Sequence, residues 1–396
     1  MNTRKIPLFI LFGIPVLAAS FFVFHHRAPI VSEERSGNTT AAEVPKPSVA
    51  TVPAPVPSFA KTCPDGFVLV PGNPLFRTED FCLMKYEAKC SDVSDPAHGL
   101  EPATGSSCAG GTAILGNDTY RNSGKNCACT GSRQVVSTAS GYPIAYIAMD
   151  NGTMNNAKRY CESMGWHLVT NDEWMTVARN VEQVPANWCD RDGTDCGATP
   201  GTVGKILANG HNDDGIDISH DGKALVAGTD DRPCFGTAAL GGDTCGETGS
   251  QKRTLALDNG SILWDFAGNV WEWVDATVAR KDEPSSATKG VRDTGWLKSD
   301  FAPGSLPSVI TDNGHGTTMG YDAFRPSDPT WNAKNGVGRI YHYSSVVPDT
   351  DTTAYAFIRG GNWRHGDDDG AFTIHLSPVP SHFADDLGFR CAAPAR

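Results

Sequence analysis

The sequence predicts an α+β domain, loop-rich and cross-linked by disulfides, carried behind an apolar N-terminal segment and a proline-rich stalk. Three observations point there. Gly (42) and Pro (26) are abundant, charged residues make up only 20%, and nine Trp are present, a balance that suits a loop-rich globule better than a helical bundle or a disordered acidic chain. Short strand-like runs alternate with turn signals, and two helices are legible. The 12 cysteines cluster in Gly- and Asp-rich stretches instead of zinc-type Cys-x-x-Cys pairs, which favours disulfides and an oxidising compartment. At 396 residues the chain has room for two or three domains or one large one, and no repeat of fixed period marks it as a solenoid. The net charge is −12; beyond residue 58 there are 28 basic against 42 acidic residues. So acidic a globule repels phosphate backbones, and nucleic acid is not an expected partner.

The N-terminus reads as an export signal. Arg4 and Lys5 precede an apolar run from Ile6 to Phe24, closed by His25, His26 and Arg27. Nineteen residues are about enough to cross a bilayer core as a helix. Ala18-Ala19-Ser20 offers a cleavage site, so residues 1–27 read as a signal anchor or a cleaved signal peptide. Residues 28–58 hold six prolines, with Pro53-Ala54-Pro55-Val56-Pro57 at the end. That composition extends as polyproline and packs no core, as expected of a linker. Residues 59–396 are the folded domain, placed outside the membrane and at the cell surface or in the periplasm, or secreted if the signal is cleaved.

Within it, Phe67 to Val70 and Phe81 to Tyr86 read as strands around the turn signals Pro71-Gly72-Asn73-Pro74. Ala157, Tyr160, Cys161 and Met164 fall at helical spacing, as do Trp174, Val177, Ala178 and Val181. The second helix opens with Thr170-Asn171-Asp172-Glu173, a capping-box pattern. From Gln183 to about residue 251 the chain reads mostly as loop. A hairpin follows, with arms Arg253 to Leu257 and Ile262 to Trp264 about the turn Asp258-Asn259-Gly260.

Several segments occur in a telling order. Gly66-Phe67-Val68-Leu69-Val70-Pro71-Gly72, Lys85-Tyr86-Glu87, His167 to Trp174, Leu263 to Trp273 with its Gly268-Asn269-Val270-Trp271-Glu272-Trp273, Ile358-Arg359-Gly360-Gly361-Asn362-Trp363 and Gly388-Phe389-Arg390-Cys391 follow one another. Together they resemble the formylglycine-generating enzyme, or sulfatase-modifying factor, family over about residues 63 to 393. The resemblance implies a variant of the C-type lectin fold. Loops at residues 90–130, 183–250 and 277–350 depart from the family's usual spacing. In a lectin-type fold Cys161 and Cys391 would meet across the core; Cys189 with Cys196, and Cys234 with Cys245, read as local pairs.

The copper-dependent members of that family oxidise a substrate cysteine with two cysteines lying between the Arg-Gly-Gly and Gly-Phe-Arg motifs, thiolates being what soft Cu(I) prefers. Here the interval from Asn362 to Leu387 has no cysteine, so no copper and no oxidase activity are expected. The iron-dependent branch uses histidines of an added helical domain, which the stretch before residue 59 does not resemble. In the family the turn before Trp-Glu-Trp supplies oxygens to a structural calcium. The resemblance carries that role to Asp265, Gly268, Val270 and Glu272, carboxylates and carbonyls suited to a hard cation. The alternative is that Asp265 and Glu272 cap the turn without metal. The acid-rich stretch Asn212 to Asp221 lacks the ligand spacing of a calcium loop and reads as solvated.

Between the last two motifs, Phe372, Ile374 and Leu376 alternate with Thr373, His375 and Ser377, the period of a strand with one buried and one wet face. Around it lie Asn362, Arg364, His365, Asp367 and Asp369, then His382, Phe383 and Asp385. These eleven residues read either as a polar surface loop or as a ligand-binding face. Asn, Asp, His, Ser, Thr, Ile and Phe are all one or two codon-base changes from AAC or AAT, a pattern similar to the variable proteins of diversity-generating retroelements. The function expected is therefore an exported, membrane-tethered binding module for an unidentified protein or glycan, on a sulfatase-modifying-factor scaffold without the copper cysteines. An enzyme of the same family, with unusual metal use, is the alternative.

Overall fold

The structure is a computed structural model describing residues 61–99, 129, 132–153, 155–191, 193–212, 234–236, 250–282, 296–301, 309–312, 315, 317–320, 324–343, 350–363, 365–384 and 386–396. Its architecture is mixed: two main sheets, small two-stranded ribbons and two α-helices among the described residues, the α+β class expected. Phe59–Arg396 forms one compact unit. The apolar run from Ile6 to Phe24, the linker and the acid-rich loop beyond Asn212 lie outside the described residues. Among those described, no helix is long and apolar enough to cross a membrane.

The smaller sheet is antiparallel, in the order Phe67–Val70, Phe81–Met84, Cys391–Pro394, His167–Leu168. It closes the two ends of the domain on each other: Thr62 N donates to Arg396 O at 2.7 Å and Arg396 N to Thr62 O at 3.1 Å. The helices form where the apolar spacing placed them. Ala157–Ser163 starts at Asn156, whose side chain accepts from Arg159 N at 2.9 Å. Asn171–Val181 starts with the expected capping box, Glu173 N donating to Thr170 Oγ1 at 3.2 Å and Thr170 N to Glu173 Oε2 at 2.9 Å. Its buried face carries Trp174, which stacks on Phe266 with centroids 4.0 Å apart and donates from Nε1 to Ala371 O at 2.8 Å.

The hairpin is present with shorter arms, Thr254–Ala256 against Ile262–Trp264. Just before the first arm Arg253 meets Asp265 twice over, its carbonyl accepting from Asp265 N at 2.9 Å and its side chain gripping the Asp265 carboxylate. The region past Gln183 is more ordered than the loop expected: Trp188–Cys189 pairs with Ile206–Leu207, and the Trp188 ring meets Trp331 edge-on at 4.7 Å. Polar spacing hid this anchor, since a two-residue strand has no period to read.

The larger sheet runs Trp296–Ser299, Ile340–Tyr343, Ile374–His375, Ala354–Arg359, Trp271–Ala279, Leu387–Phe389. Here the structure corrects the wet-faced strand. Only Ile374 and His375 enter the ladder, between Ile340–Tyr343 in parallel and Ala354–Arg359 antiparallel. That interior position pairs both edges of the strand, and both of its faces are buried. Phe372, Ile374 and Leu376 join the larger core, while Thr373, His375 and Ser377 are 0%, 4% and 6% exposed. Alternation separates the two faces of a strand; whether a second layer covers the polar one is decided by chain-distant elements.

Among the described residues four disulfides are formed: Cys63–Cys82, Cys90–Cys129, Cys161–Cys391 and Cys189–Cys196. Two of the expected pairs are among them. Cys245 of the expected pair Cys234–Cys245 lies outside the described residues. No cysteine among the described residues is free.

Candidate functional site

The C-terminal face is built on the Gly-Gly turn after Ala354–Arg359. Gly361 has φ 90°, and a Cβ there would lie 2.0 Å from Asp369 Oδ1, so only glycine lets the carboxylate fold beneath the turn. Asn362 N donates to Asp369 Oδ2 at 3.0 Å, and Asn362 Nδ2 to Asp386 Oδ2 at 2.6 Å. Both Asn362 and Asp369 are fully buried. They brace the turn rather than face outward.

Beneath it four rings meet from four segments. Trp271 lies 5.6 Å from Tyr341, 5.6 Å from His365 and 5.7 Å from His375, and Tyr341 lies 5.6 Å from His365 and 5.5 Å from His375. His365 is the outermost, its side chain 25% exposed and its Nδ1 3.8 Å from Asp369 Oδ1. Burial raises the Tyr341 hydroxyl, and Asp369 and Asp368 raise it further. Burial pulls His375 down to about 3, with His365, His382 and His342 adding to the effect. The imidazole is therefore neutral in the folded state, whereas an unfolded one takes its proton near the ordinary value of about 6.5. Stability contributed this way is intact above about pH 6.5 and is lost as pH falls toward 3, by about 1.4 kcal/mol per unit. We expect His375→Gln to remove roughly 2 kcal/mol of the stability lost between pH 7.5 and 5. Urea unfolding of both proteins at the two pH values measures it; equal losses would assign the acid sensitivity elsewhere.

The rim is what solvent reaches. Asp367 is exposed and ion-paired with Arg191. His382 and Phe383 are exposed, Phe383 by 45%, and the Phe383 ring meets Tyr146 edge-on at 4.8 Å. Tyr146 has φ 61°, an uncommon conformation for a large side chain, and its N donates to Ala384 O at 2.8 Å. Of the eleven candidates, then, His365, Asp367, His382 and Phe383 gather at the rim. Asn362, Asp369, Thr373, His375 and Ser377 lie inside, and Arg364 and Asp385 fall outside the described residues.

The turn 265–272 is a second, separate centre. Asp265, Gly268 and Asn269 have φ 50°, 72° and 59°, and a Cβ on Gly268 would lie 2.4 Å from His211 O. Asn269 N donates to that carbonyl at 2.7 Å. Arg253 grips Asp265 in a fork, Nε to Oδ1 at 2.8 Å and Nη2 to Oδ2 at 2.7 Å. Arg390 Nε lies 2.8 and 2.9 Å from the two Glu272 oxygens. Glu87 accepts from Asn269 Nδ2 at 2.6 Å and Val270 N at 3.3 Å. Burial pushes Glu87 and Glu272 up; Asp265 and Glu272 push Glu87 further, while Arg390 pulls Glu272 back. This donor set does not fit the calcium expected at Asp265, Gly268, Val270 and Glu272. Both carboxylates are engaged by guanidinium groups, and a dication bound to them would sit beside two fixed positive charges.

Sequence reasoning passed over Trp271, Tyr341 and Tyr146 as site residues, and over Arg253, Arg390, Glu87 and Lys89 as partners of the turn. Glu87 and Arg390 stood within recognised motifs, and the two acids Asp265 and Glu272 about one turn were the signal that positive partners were needed. The fold and these two centres define a disulfide-bonded α+β domain organised about its Trp-Glu-Trp strand and Gly-Phe-Arg end. Residues 123–395, more than half of the chain, match the family model of the sulfatase-modifying factor enzyme 1-like domain, and the chain belongs to that family. No curated protein matches it.

Proposed function

We propose that this is an exported surface protein that binds a protein or glycan ligand at its C-terminal face, on a C-type-lectin-like, sulfatase-modifying-factor scaffold that does not carry out copper-dependent cysteine oxidation. The observation that carries this reading is the missing thiolate pair: Asn362 to Leu387 contains no cysteine, and every cysteine among the described residues is in a disulfide. Export is supported by those disulfides, by the apolar run Ile6 to Phe24 as signal or membrane anchor, and by the proline-rich linker of residues 28–58. Contact falls to the rim, His365, Asp367, His382 and Phe383. An exposed aromatic braced by a second ring offers apolar contact area at little entropic cost. Sequence diversification of the retroelement kind is expected at these rim positions, while Asn362, Asp369, Thr373, His375 and Ser377 support them.

The test uses the full chain on an array of glycans and purified extracellular proteins, beside Phe383→Ala and His382→Ala. We expect binding to fall at least about tenfold, roughly 1.4 kcal/mol, with melting temperatures unchanged because exposed substitutions usually stay within about 0.5 kcal/mol. Equal capture by parent and variants would refute the rim as the site. Copper-dependent oxidation of a cysteine peptide by the parent would restore the enzyme.

A further inference from the structure

We infer that the chain's own arginines take up the two carboxylates of the turn 265–272 that a metal ion would need, so that the turn is closed to divalent ions for as long as Arg390 is in place. The inference is independent of the proposed ligand-binding function.

Arg390 is fully buried and is surrounded by oxygen. Its Nε faces both Glu272 oxygens at 2.8 and 2.9 Å. Nη2 donates to Trp264 O and Asp265 O, each at 2.6 Å, and Nη1 to Met84 O at 3.3 Å and Lys85 O at 3.2 Å. Two carboxylate oxygens and four carbonyls surround the group, as many as calcium's minimum shell, but drawn from Met84, Lys85 and Trp264 rather than from the Gly268 and Val270 carbonyls expected to hold calcium. A planar guanidinium collects them instead, in a geometry a point charge cannot copy.

Charge counting agrees. The acids Glu87, Asp265 and Glu272 meet the bases Lys89, Arg253 and Arg390 in one buried group. Three negative charges face three positive ones. A divalent ion would add two uncompensated charges to a dry site, which the interior does not tolerate.

The experiment uses the full chain, with calcium and guanidinium as probes. The wild type should melt at the same temperature in millimolar calcium and in chelator, and should carry no stoichiometric calcium by elemental analysis after dialysis. Arg390→Ala should melt lower and recover in part with millimolar guanidinium or calcium, but not with sodium chloride at matched ionic strength. Arg390→Lys keeps the charge without the fork, and it should fold, melt below wild type and stay indifferent to calcium. Stoichiometric calcium in the wild type, or a calcium-dependent rise in its melting temperature, would overturn the inference. So would a folded Arg390→Ala that neither cation stabilises, or a lysine variant as stable as wild type.

Discussion

Replacing Cys161 and Cys391 together with alanine should cost about 5 kcal/mol of unfolding free energy, from the chain entropy of the closed loop alone. The bond spans 230 residues, so it constrains most of the unfolded domain. It ties the helix Ala157–Ser163 to the strand Cys391–Pro394, which pairs through Cys391 and Leu168 with the short strand leading to the second helix. Both sulfurs belong to fully buried residues in one core with Tyr160 and Phe389, so the substitution also leaves a void. The Cys189–Cys196 bond has a separation of only 7, and the same reasoning gives about 2 kcal/mol for its removal. Denaturant unfolding of the two double variants, both non-reduced, tests the ordering. A long-loop variant that loses less than the short-loop variant would show that the denatured chain is already restrained by other means.

Glu272→Ala is the second large effect. It leaves Arg390 buried among carbonyls with its nearest carboxylate gone, and an uncompensated buried charge typically costs about 3–5 kcal/mol. The reciprocal Arg390→Ala should cost a similar amount by stranding Glu272. Because each single change leaves the other charge alone, the double variant should be less damaged than the two losses added, with a coupling of about 1 kcal/mol or more. Additive losses would mean that the two residues act separately. The loss in Glu272→Ala should be the same with and without chelator, since the partner of Glu272 is a guanidinium group rather than a metal ion.

Much of the fold could be read locally. The helices Ala157–Ser163 and Asn171–Val181 follow from apolar residues at helical spacing and from caps within four residues. The strand Phe67–Val70 and the hairpin around Asp258-Asn259-Gly260 follow from short apolar runs bounded by turn residues. The missing cysteine pair is a property of the sequence itself, and the ordered motifs pointed to a family that the domain match bears out. The site was read less well, because its decisive partners are far apart in the chain. Thr373, His375 and Ser377 have the alternation of a wet face, yet all three are buried, and over His375 lie Trp271 and Tyr341 from other strands. Asp265 and Glu272 resemble metal ligands until Arg253, 12 residues away from one, and Arg390, 118 residues away from the other, are brought against them. Local spacing by itself determined the two helices, the first strand, the hairpin and the absence of the thiolate pair. Only the tertiary structure decided which polar groups were covered and which charges were already answered, because burial and charge pairing depend on elements that meet only when the chain has folded.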